Sequence, residues 1–369
     1  MIAQRVPFVD LHPGEDAAAV REGIDRVLNR GWFILGPEVD AFEVEFAAAC
    51  GASHAVAVGN GTDAITLMLR ALGIGAGDEV IVPAITAGYT GLAVTTAGAV
   101  PVVADVDDET LTLDPAACAA AITSRTKAIV PVHLYGQAAP VPAIAALAAR
   151  HGLAVVEDCC QAHLATCEGT PVGTTTVGGA FSFYPTKNLG ALGDGGAVIT
   201  GDAQLARRIR LLRNGGQSDR YHHEIAGFNS RLDELQAAVL RARLPLLRHW
   251  TARRRELAAD YRRLLTSRVR VPVERDRGHV YHLFAIRVRD EDGSGGPRNA
   301  LQQHLRGQGI ETLIHYPVPL NRQPAFAASN RADTPVAAAA TRELLSLPLH
   351  PRMPAAQVDQ VAAGIESWR

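Results

Sequence analysis

The sequence predicts an α/β protein: a large domain built on a mainly parallel, seven-stranded sheet covered by helices, then a smaller C-terminal α+β domain. Three observations predict it. Short apolar runs alternate with stretches of helical spacing from His54 to Arg213, and such alternation favours parallel strands joined by crossover helices. A long amphipathic stretch, Leu232 to Leu265, then breaks the alternation, with Pro245 inside it. The chain of 369 residues is also long enough to bury one large core and a smaller second one. The expected boundary falls at the proline, giving a large domain over 1–245 and a small domain over 246–369.

The elements follow in order. Gly14 to Asn29 and Pro37 to Cys50 carry helical spacing, the second with apolar Val39, Phe42, Val44 and Phe46 and a proline at its start. His54 to Gly59 reads as a strand, and Asn60-Gly-Thr-Asp-Ala-Ile65 opens a helix that ends at Gly73. Further strands are expected at Glu79 to Val82, Val100 to Asp105, Ala128 to His133, Ala154 to Asp158, Ala180 to Tyr184 and Gly195 to Thr200. A helix follows from Asp202 to Arg213, and Pro245 should kink the long stretch after it. The small domain is expected to hold strands at Val280 to Val288 and Glu311 to His315. Its helices are expected at Arg298 to Arg306, Pro335 to Leu345 and Pro354 to Trp368, with a flexible surface loop over Asp290 to Pro297.

Composition excludes several classes of function. With 36 basic and 38 acidic residues, and no basic run longer than Arg253-Arg254-Arg255, nothing recommends nucleic acid as a partner. No apolar run approaches a membrane span, and the start, Met1-Ile-Ala-Gln-Arg-Val-Pro-Phe8, lacks the hydrophobic region of a signal peptide, so a cytoplasmic protein is expected. Five cysteines, two of them the neighbours Cys159 and Cys160, suit neither a disulfide framework nor a zinc site, and read as small buried hydrophobes. No metal site is expected.

The chemistry centres on Ala180 to Gly196. The run Ala180 to Tyr184 reads as a buried strand, Pro185 stops it, and a glycine-rich loop carries Lys187. Only Lys127 and Lys187 among the basic residues are lysines, and only an amine whose pKa its surroundings can lower serves as an imine-forming nucleophile, which arginine cannot do. The competing reading is a surface lysine left over from an arginine-biased composition. The Asn60 to Ile65 junction is a candidate phosphate cradle, because a helix N-terminus offers free N–H groups, Gly61 permits close approach and Thr62 adds a hydroxyl. It lacks the full three-glycine fingerprint of a dinucleotide site. Val155-Val156-Glu157-Asp158 delivers a carboxylate at a strand end, where sites in such sheets are built. Lysine, strand-end carboxylate and phosphate cradle are together what pyridoxal 5'-phosphate requires: an imine partner, a counter-charge for the pyridine nitrogen, and an anion site.

Several further segments carry a resemblance. These are Val6-Pro-Phe-Val-Asp-Leu11, Leu35-Gly-Pro-Glu-Val39, Gly61-Thr-Asp-Ala64, Gly77-Asp-Glu-Val-Ile-Val-Pro83, Pro131-Val-His-Leu-Tyr-Gly136, Val156-Glu-Asp-Cys-Cys-Gln-Ala-His163, Phe181-Ser-Phe-Tyr-Pro-Thr-Lys187 and Asn229-Ser-Arg-Leu-Asp-Glu-Leu-Gln-Ala-Ala238. By them the chain resembles, over almost its whole length, the sugar aminotransferases of the DegT/DnrJ/EryC1/StrS family, a branch of the fold-type I aspartate aminotransferase superfamily. The resemblance implies that Lys187 forms the imine with the cofactor, that Asp158 contacts its pyridine nitrogen and that Gln161 lies by the ring. It implies a phosphate held by Gly61, Thr62, Ser182 and an Asn229 reaching across from a second subunit, hence a homodimer with shared active sites. Where many relatives place a ring-stacking aromatic directly after the threonine, Thr86 is here followed by Ala87-Gly88-Tyr89, and Tyr89 is expected to stack from a shifted position.

Family members with histidine at the lysine position are dehydratases, so Lys187 points to transamination. The implied donor is L-glutamate, leaving the cofactor as pyridoxamine 5'-phosphate between two ping-pong half-reactions. The segment His315-Tyr316-Pro-Val-Pro-Leu320 resembles enzymes that aminate C3 of a nucleotide-linked keto-6-deoxyhexose, with dTDP the expected nucleotide. His163, Tyr184, His315 and Tyr316 are the expected substrate contacts. C4 keto sugars and aminocyclitols are the alternatives within the family. A catalytically silent binding protein would not need Lys187 together with Asp158, and a nicotinamide-dependent oxidoreductase would leave the lysine loop unexplained.

Overall fold

The computed structural model describes residues 5–265, 268–291, 293–329 and 333–368. Of the segments read above, Met1–Gln4 and Asp292 lie outside the described residues. The first helices, α1 (Ala17–Arg30) and α2 (Pro37–Cys50), each end at a glycine in the left-handed region, Gly31 and Gly51, whose N–H caps the last turn. The large sheet is then laid down by β1 (His54–Val58), β2 (Glu79–Pro83), β3 (Val100–Ala104), β4 (Thr126–Ile129) and β5 (Ala154–Asp158). Between these strands run α3 (Gly61–Ala71), α4 (Gly88–Thr96), α5 (Pro115–Ala120) and α6 (Val141–His151). A two-strand ribbon, β6 (Thr166–Cys167) with β7 (Thr170–Pro171), precedes β8 (Gly178–Ser182) and β9 (Gly196–Thr200).

Among the described residues the large sheet has seven strands in the order β1-β9-β8-β5-β4-β2-β3. Only β9 runs against its neighbours β1 and β8, while the other pairings are parallel. The mainly parallel sheet expected from the alternation is therefore present. Because successive side chains on a strand face opposite ways, its two faces pack into separate cores. One contains Val56, Val58, Leu67 and Val156, the other Phe42, Phe46, Phe181 and Phe183.

Beyond the sheet come α7 (Ala203–Arg213), a short ribbon of β10 (Gln217–Asp219) and β11 (His222–His223), and α8 (Glu234–Arg243). Pro245 acts as expected: a 3-10 turn over Leu244–Leu246 separates α8 from α9 (Leu247–Leu264). The C-terminal part adds β12 (Val269–Arg270), β13 (Phe284–Val288), α10 (Gly296–Gly307), α11 (Pro335–Glu343), β14 (Leu344–Leu347) and α12 (Ala355–Ser367). Its core of Leu257, Tyr261, Phe284, Leu301 and Ile365 also takes in Val6 from the opposite end of the chain.

Four expectations need correction. No strand forms over Glu311 to His315. Ile310 bridges Val6 and Leu313 bridges Ser346, so the segment pairs singly with two different partners. Strand β4 ends at Ile129, before Pro131, which has no N–H to give, and beyond the proline only an isolated bridge from Val132 to Asp158 continues the expected run. Strand β13 begins only at Phe284, four residues later than expected, and Tyr281 before it has a φ of 46°. Finally, α11 ends at Glu343 and its last expected residues, Leu344 and Leu345, open β14 instead.

Candidate active site

Parallel pairing of β5 with β8 sets Asp158 opposite Ala180, so the chain leaves both strands at one edge of the sheet. Helix α3 points its first turn at the same place. Asn60 caps it by accepting the Asp63 N–H at 2.8 Å. A Cβ on Gly61 would stand 2.6 Å from Cys160 Sγ and 2.8 Å from Ser182 Cβ, distances no side chain tolerates, and one on Gly196 would stand 2.4 Å from the Asn60 carbonyl carbon. Glycine at both positions lets the helix end close onto β8 and β9. The cradle of Gly61, Thr62 and Ser182 is thereby assembled beside the Asp158 strand end.

Asp158 is buried, and its carboxylate accepts the Thr90 hydroxyl on Oδ2 at 2.8 Å and the Cys160 N–H on Oδ1 at 3.1 Å. Lys187 sits in a turn closed by its own N–H to the Tyr184 carbonyl at 2.8 Å. It is half-buried, and none of the hydrogen bonds among the described residues engages its amine. Burial pushes that amine below its ordinary 10.5, with Cys160 and Asp158 nearby partly opposing the shift. More of it is therefore the free base at neutral pH than in a solvated lysine. Cys160 corrects the reading of all five cysteines as buried filler: it is half-buried against the cradle, its thiol pushed far up by burial and then by Asp158.

Gln161 joins two elements. It accepts the Tyr135 N–H on Oε1 at 2.7 Å and donates Nε2–H to the Tyr316 hydroxyl at 2.9 Å, while Tyr135 donates its hydroxyl to the His315 carbonyl. This draws His315 and Tyr316, far along the chain, onto the end of β5. The His315 ring bonds Ser346 at 3.0 Å, stacks on Phe8 at 5.8 Å, and is held neutral because burial and then the Lys187 charge push its pKa down to about 4.

The other expected residues differ in their exposure. His163 is fully buried between Phe181 and Phe183, with Nε2 bonded to the Ser182 carbonyl at 2.9 Å and a pKa pushed down to about 3 by burial. Its ring belongs to the core, with no face open to a substrate. Tyr184 is 52% exposed beside the lysine turn, and Tyr89 is 67% exposed on the first turn of α4. Asn229 is exposed, while the adjacent Ser230 donates to Asp63 at 2.7 Å and accepts the Gly59 N–H at 3.0 Å, tying that segment to the start of α3. Sequence reading missed Thr90, Thr86, Tyr135 and Cys160. The only signal for the first two was a pair of hydroxyls four residues apart at a helix start.

These residues fit pyridoxal phosphate: a glycine-floored helix end for the phosphate, a buried carboxylate with lone pairs to spare, and an unengaged amine. Next to the lysine turn a cleft of about 100 Å³ is lined by Lys187, Asn188, Arg254, His350 and Arg352. Asp158, Gln161 and Gly61 do not line it. The buried cluster His133, Glu157 and Cys159 has metal-like spacing, but His133 is occupied on both nitrogens, by the Ala139 N–H at 3.0 Å and Glu157 at 2.9 Å. No helix among the described residues is long and apolar enough to cross a membrane.

Comparison with known proteins agrees with this geometry. The model of the DegT/DnrJ/EryC1/StrS aminotransferase family matches residues 15–366. A dTDP-3-amino-3,4,6-trideoxy-alpha-D-glucose transaminase of Streptomyces venezuelae is 47% identical over 99% of this chain and 96% of its own length. The crystal structure of S. venezuelae DesV in complex with a ketimine intermediate superposes with a TM-score of 0.94, at 47% identity and over 99% of this chain and 98% of that one. NtdA from Bacillus subtilis with bound cofactor PMP superposes with a TM-score of 0.91, at 31% identity and over 98% and 84% of the two chains. The chain belongs to the DegT/DnrJ/EryC1/StrS aminotransferase family and is a pyridoxal-phosphate-dependent aminotransferase.

Proposed function

We propose that this enzyme moves an amino group from L-glutamate to C3 of a dTDP-linked keto-6-deoxyhexose. The observation that carries the reading is the 47% identity, over nearly the full length of both chains, to a dTDP-3-amino-3,4,6-trideoxy-alpha-D-glucose transaminase. Drawing His315 and Tyr316 onto the end of β5 through Gln161 and Tyr135 supports it, because it sets a polar segment of the C-terminal part where His315 feels the Lys187 charge. The division into 1–245 and 246–369, at the turn between α8 and α9, belongs to the same reading.

Bound pyridoxal phosphate supplies an aldehyde for amines and a ring that takes up an electron pair. The protein's part follows from its residues. Lys187, its amine pKa lowered by burial, would be the residue that bonds the aldehyde, and its Nζ, once free, would hold and move a proton as the base of the site. Asp158 keeps the proton on the pyridine nitrogen, where its negative charge stabilises the positive ring. Gly61, Thr62 and Ser182 hold the phosphate, with Asn229 of the partner subunit completing the cradle in a homodimer. Gln161 borders the ring, and Tyr184, His315 and Tyr316 line the substrate side. Because one site serves both half-reactions, the kinetics are ping-pong.

The reaction run backwards tests the position of amination. With 2-oxoglutarate present, a dTDP-3-amino-6-deoxy sugar should yield L-glutamate and the 4-amino isomer should not. Glutamate from the 4-amino sugar alone would overturn the C3 assignment, and glutamate from neither would overturn the dTDP-sugar reading.

A further inference from the structure

Threonines inside helices usually spend their hydroxyl on the carbonyl one turn back. Three among the described residues do so: Thr66 bonds the Thr62 carbonyl at 3.0 Å, Thr95 the Gly91 carbonyl at 3.1 Å and Thr341 the Ala338 carbonyl at 3.2 Å. Thr90 does not. It is buried in the first turn of α4 and sends its hydroxyl to Asp158 Oδ2, 68 positions along the chain, at 2.8 Å. Thr86 Oγ1, also buried, lies 2.8 Å from Thr90 Oγ1. The direction of this pair is fixed by counting protons. A hydroxyl has one proton to give, and Thr90 gives it to a carboxylate that has none, so Thr86 must donate to Thr90. The result is a one-way chain, Thr86 to Thr90 to Asp158, in which each bond polarises the next. The Cys160 N–H fixes the other carboxylate oxygen at 3.1 Å. Two donors at fixed positions set the plane of the carboxylate, and its remaining lone pairs are left for the ring nitrogen.

We propose that Thr90, backed by Thr86, is a positioning residue that holds the Asp158 carboxylate in the orientation that meets the cofactor's ring nitrogen. This rests on the role given to Asp158 above. Thr90 touches neither substrate nor cofactor in this account and acts through the carboxylate alone. Thr90→Val keeps the shape and removes the donor. Thr90→Ser keeps the donor. Thr86→Val leaves the Thr90 bond in place but unsupported.

The test is the dissociation constant of pyridoxal phosphate, titrated into apoenzyme and read from the visible band, with the melting temperature of each apoenzyme alongside. Losing one hydrogen bond to a charged group should weaken cofactor binding about tenfold in Thr90→Val, with Thr90→Ser close to wild type. Thr86→Val should weaken it about threefold, and the double variant should be no worse than Thr90→Val, since the first link has nothing to act on once the second is gone. Wild-type affinity in Thr90→Val, or a Thr86→Val effect that adds in full, would overturn the proposal. Should Thr90→Val fail to fold, Thr86→Val decides alone, and an unchanged affinity there overturns the relay. Asp158→Asn separates the two claims: if it binds cofactor as wild type does, the Asp158 assignment itself fails whatever the threonines do.

Discussion

Glu157 and Asp158 are consecutive carboxylates at the end of one strand, both buried, yet they do different work. Period-two alternation sends them to opposite faces of the sheet. Glu157 gives its acceptors to the fold: Thr176 donates to Oε1 at 2.6 Å, and the Gly173 N–H at 2.8 Å and His133 at 2.9 Å both engage Oε2. Asp158 receives one hydroxyl and one backbone N–H, one per oxygen, with the Cys160 thiol also beside it. A strand-end carboxylate is thus read not by its burial but by where its hydrogen bonds go. One whose acceptor sites are mostly taken by scaffold groups is structural, and one held by fewer, orienting bonds is ready for a ligand.

The largest effect that would break this comparison is on activity. Asp158→Asn keeps the shape and removes the charge, and steady-state transamination should fall by about 10²- to 10³-fold, with chemical denaturation shifted by no more than about 1 kcal/mol. Comparable activity in Asp158→Asn would put the two carboxylates on the same footing. Glu157→Gln should do the reverse: a loss of about 3 kcal/mol in stability, because it breaks a buried, hydrogen-bonded pair with His133, with the turnover of the folded fraction largely retained.

A smaller effect appears with acid. Burial alone would raise the Glu157 pKa, but the bonds from His133, Thr176 and Gly173 overcome it and hold the carboxyl below its ordinary 4.5. The unfolded chain therefore takes up this proton first as the pH falls, so the stability Glu157 supplies is fully present above about pH 4.5 and is lost as pH falls through its lower folded value. Urea midpoints measured from pH 6 downward should drop more steeply for wild type than for Glu157→Gln. Smallest of all, Thr176→Val removes one donor to Glu157 and should cost about 1 kcal/mol without altering turnover.

Much of this site was legible in the sequence because local chemistry imposed it. A lysine in a glycine-rich loop after a strand, a carboxylate at a strand end, and a glycine before a helix each mark themselves within a few residues. Pro245 marked the break between α8 and α9 in the same way. What escaped depends on distant partners. Nothing near Thr90 announces a bond to Asp158, since any helical threonine looks alike until the fold supplies an acceptor. His163 stood beside Gln161 in the sequence, yet the turn after β5 swings its ring between two phenylalanines. The segment Glu311 to His315 had the apolar spacing of a strand, but Ile310 and Leu313 serve separate partners. Leu344 and Leu345 continue a helical pattern equally well, and only pairing with Ile286 and Arg287 makes them a strand.

The central claim is that the Lys187 amine, beside a cradle and an oriented carboxylate, bonds pyridoxal phosphate, and that the loaded enzyme takes its amino group from the proposed donor, L-glutamate. The direct measurement is the visible spectrum of the cofactor-loaded enzyme before and after L-glutamate, with Lys187→Ala alongside. Wild type should be a yellow protein that bleaches with glutamate, and Lys187→Ala should lack the wild-type band and not turn over. A Lys187→Ala enzyme with the wild-type band and wild-type bleaching would contradict that claim.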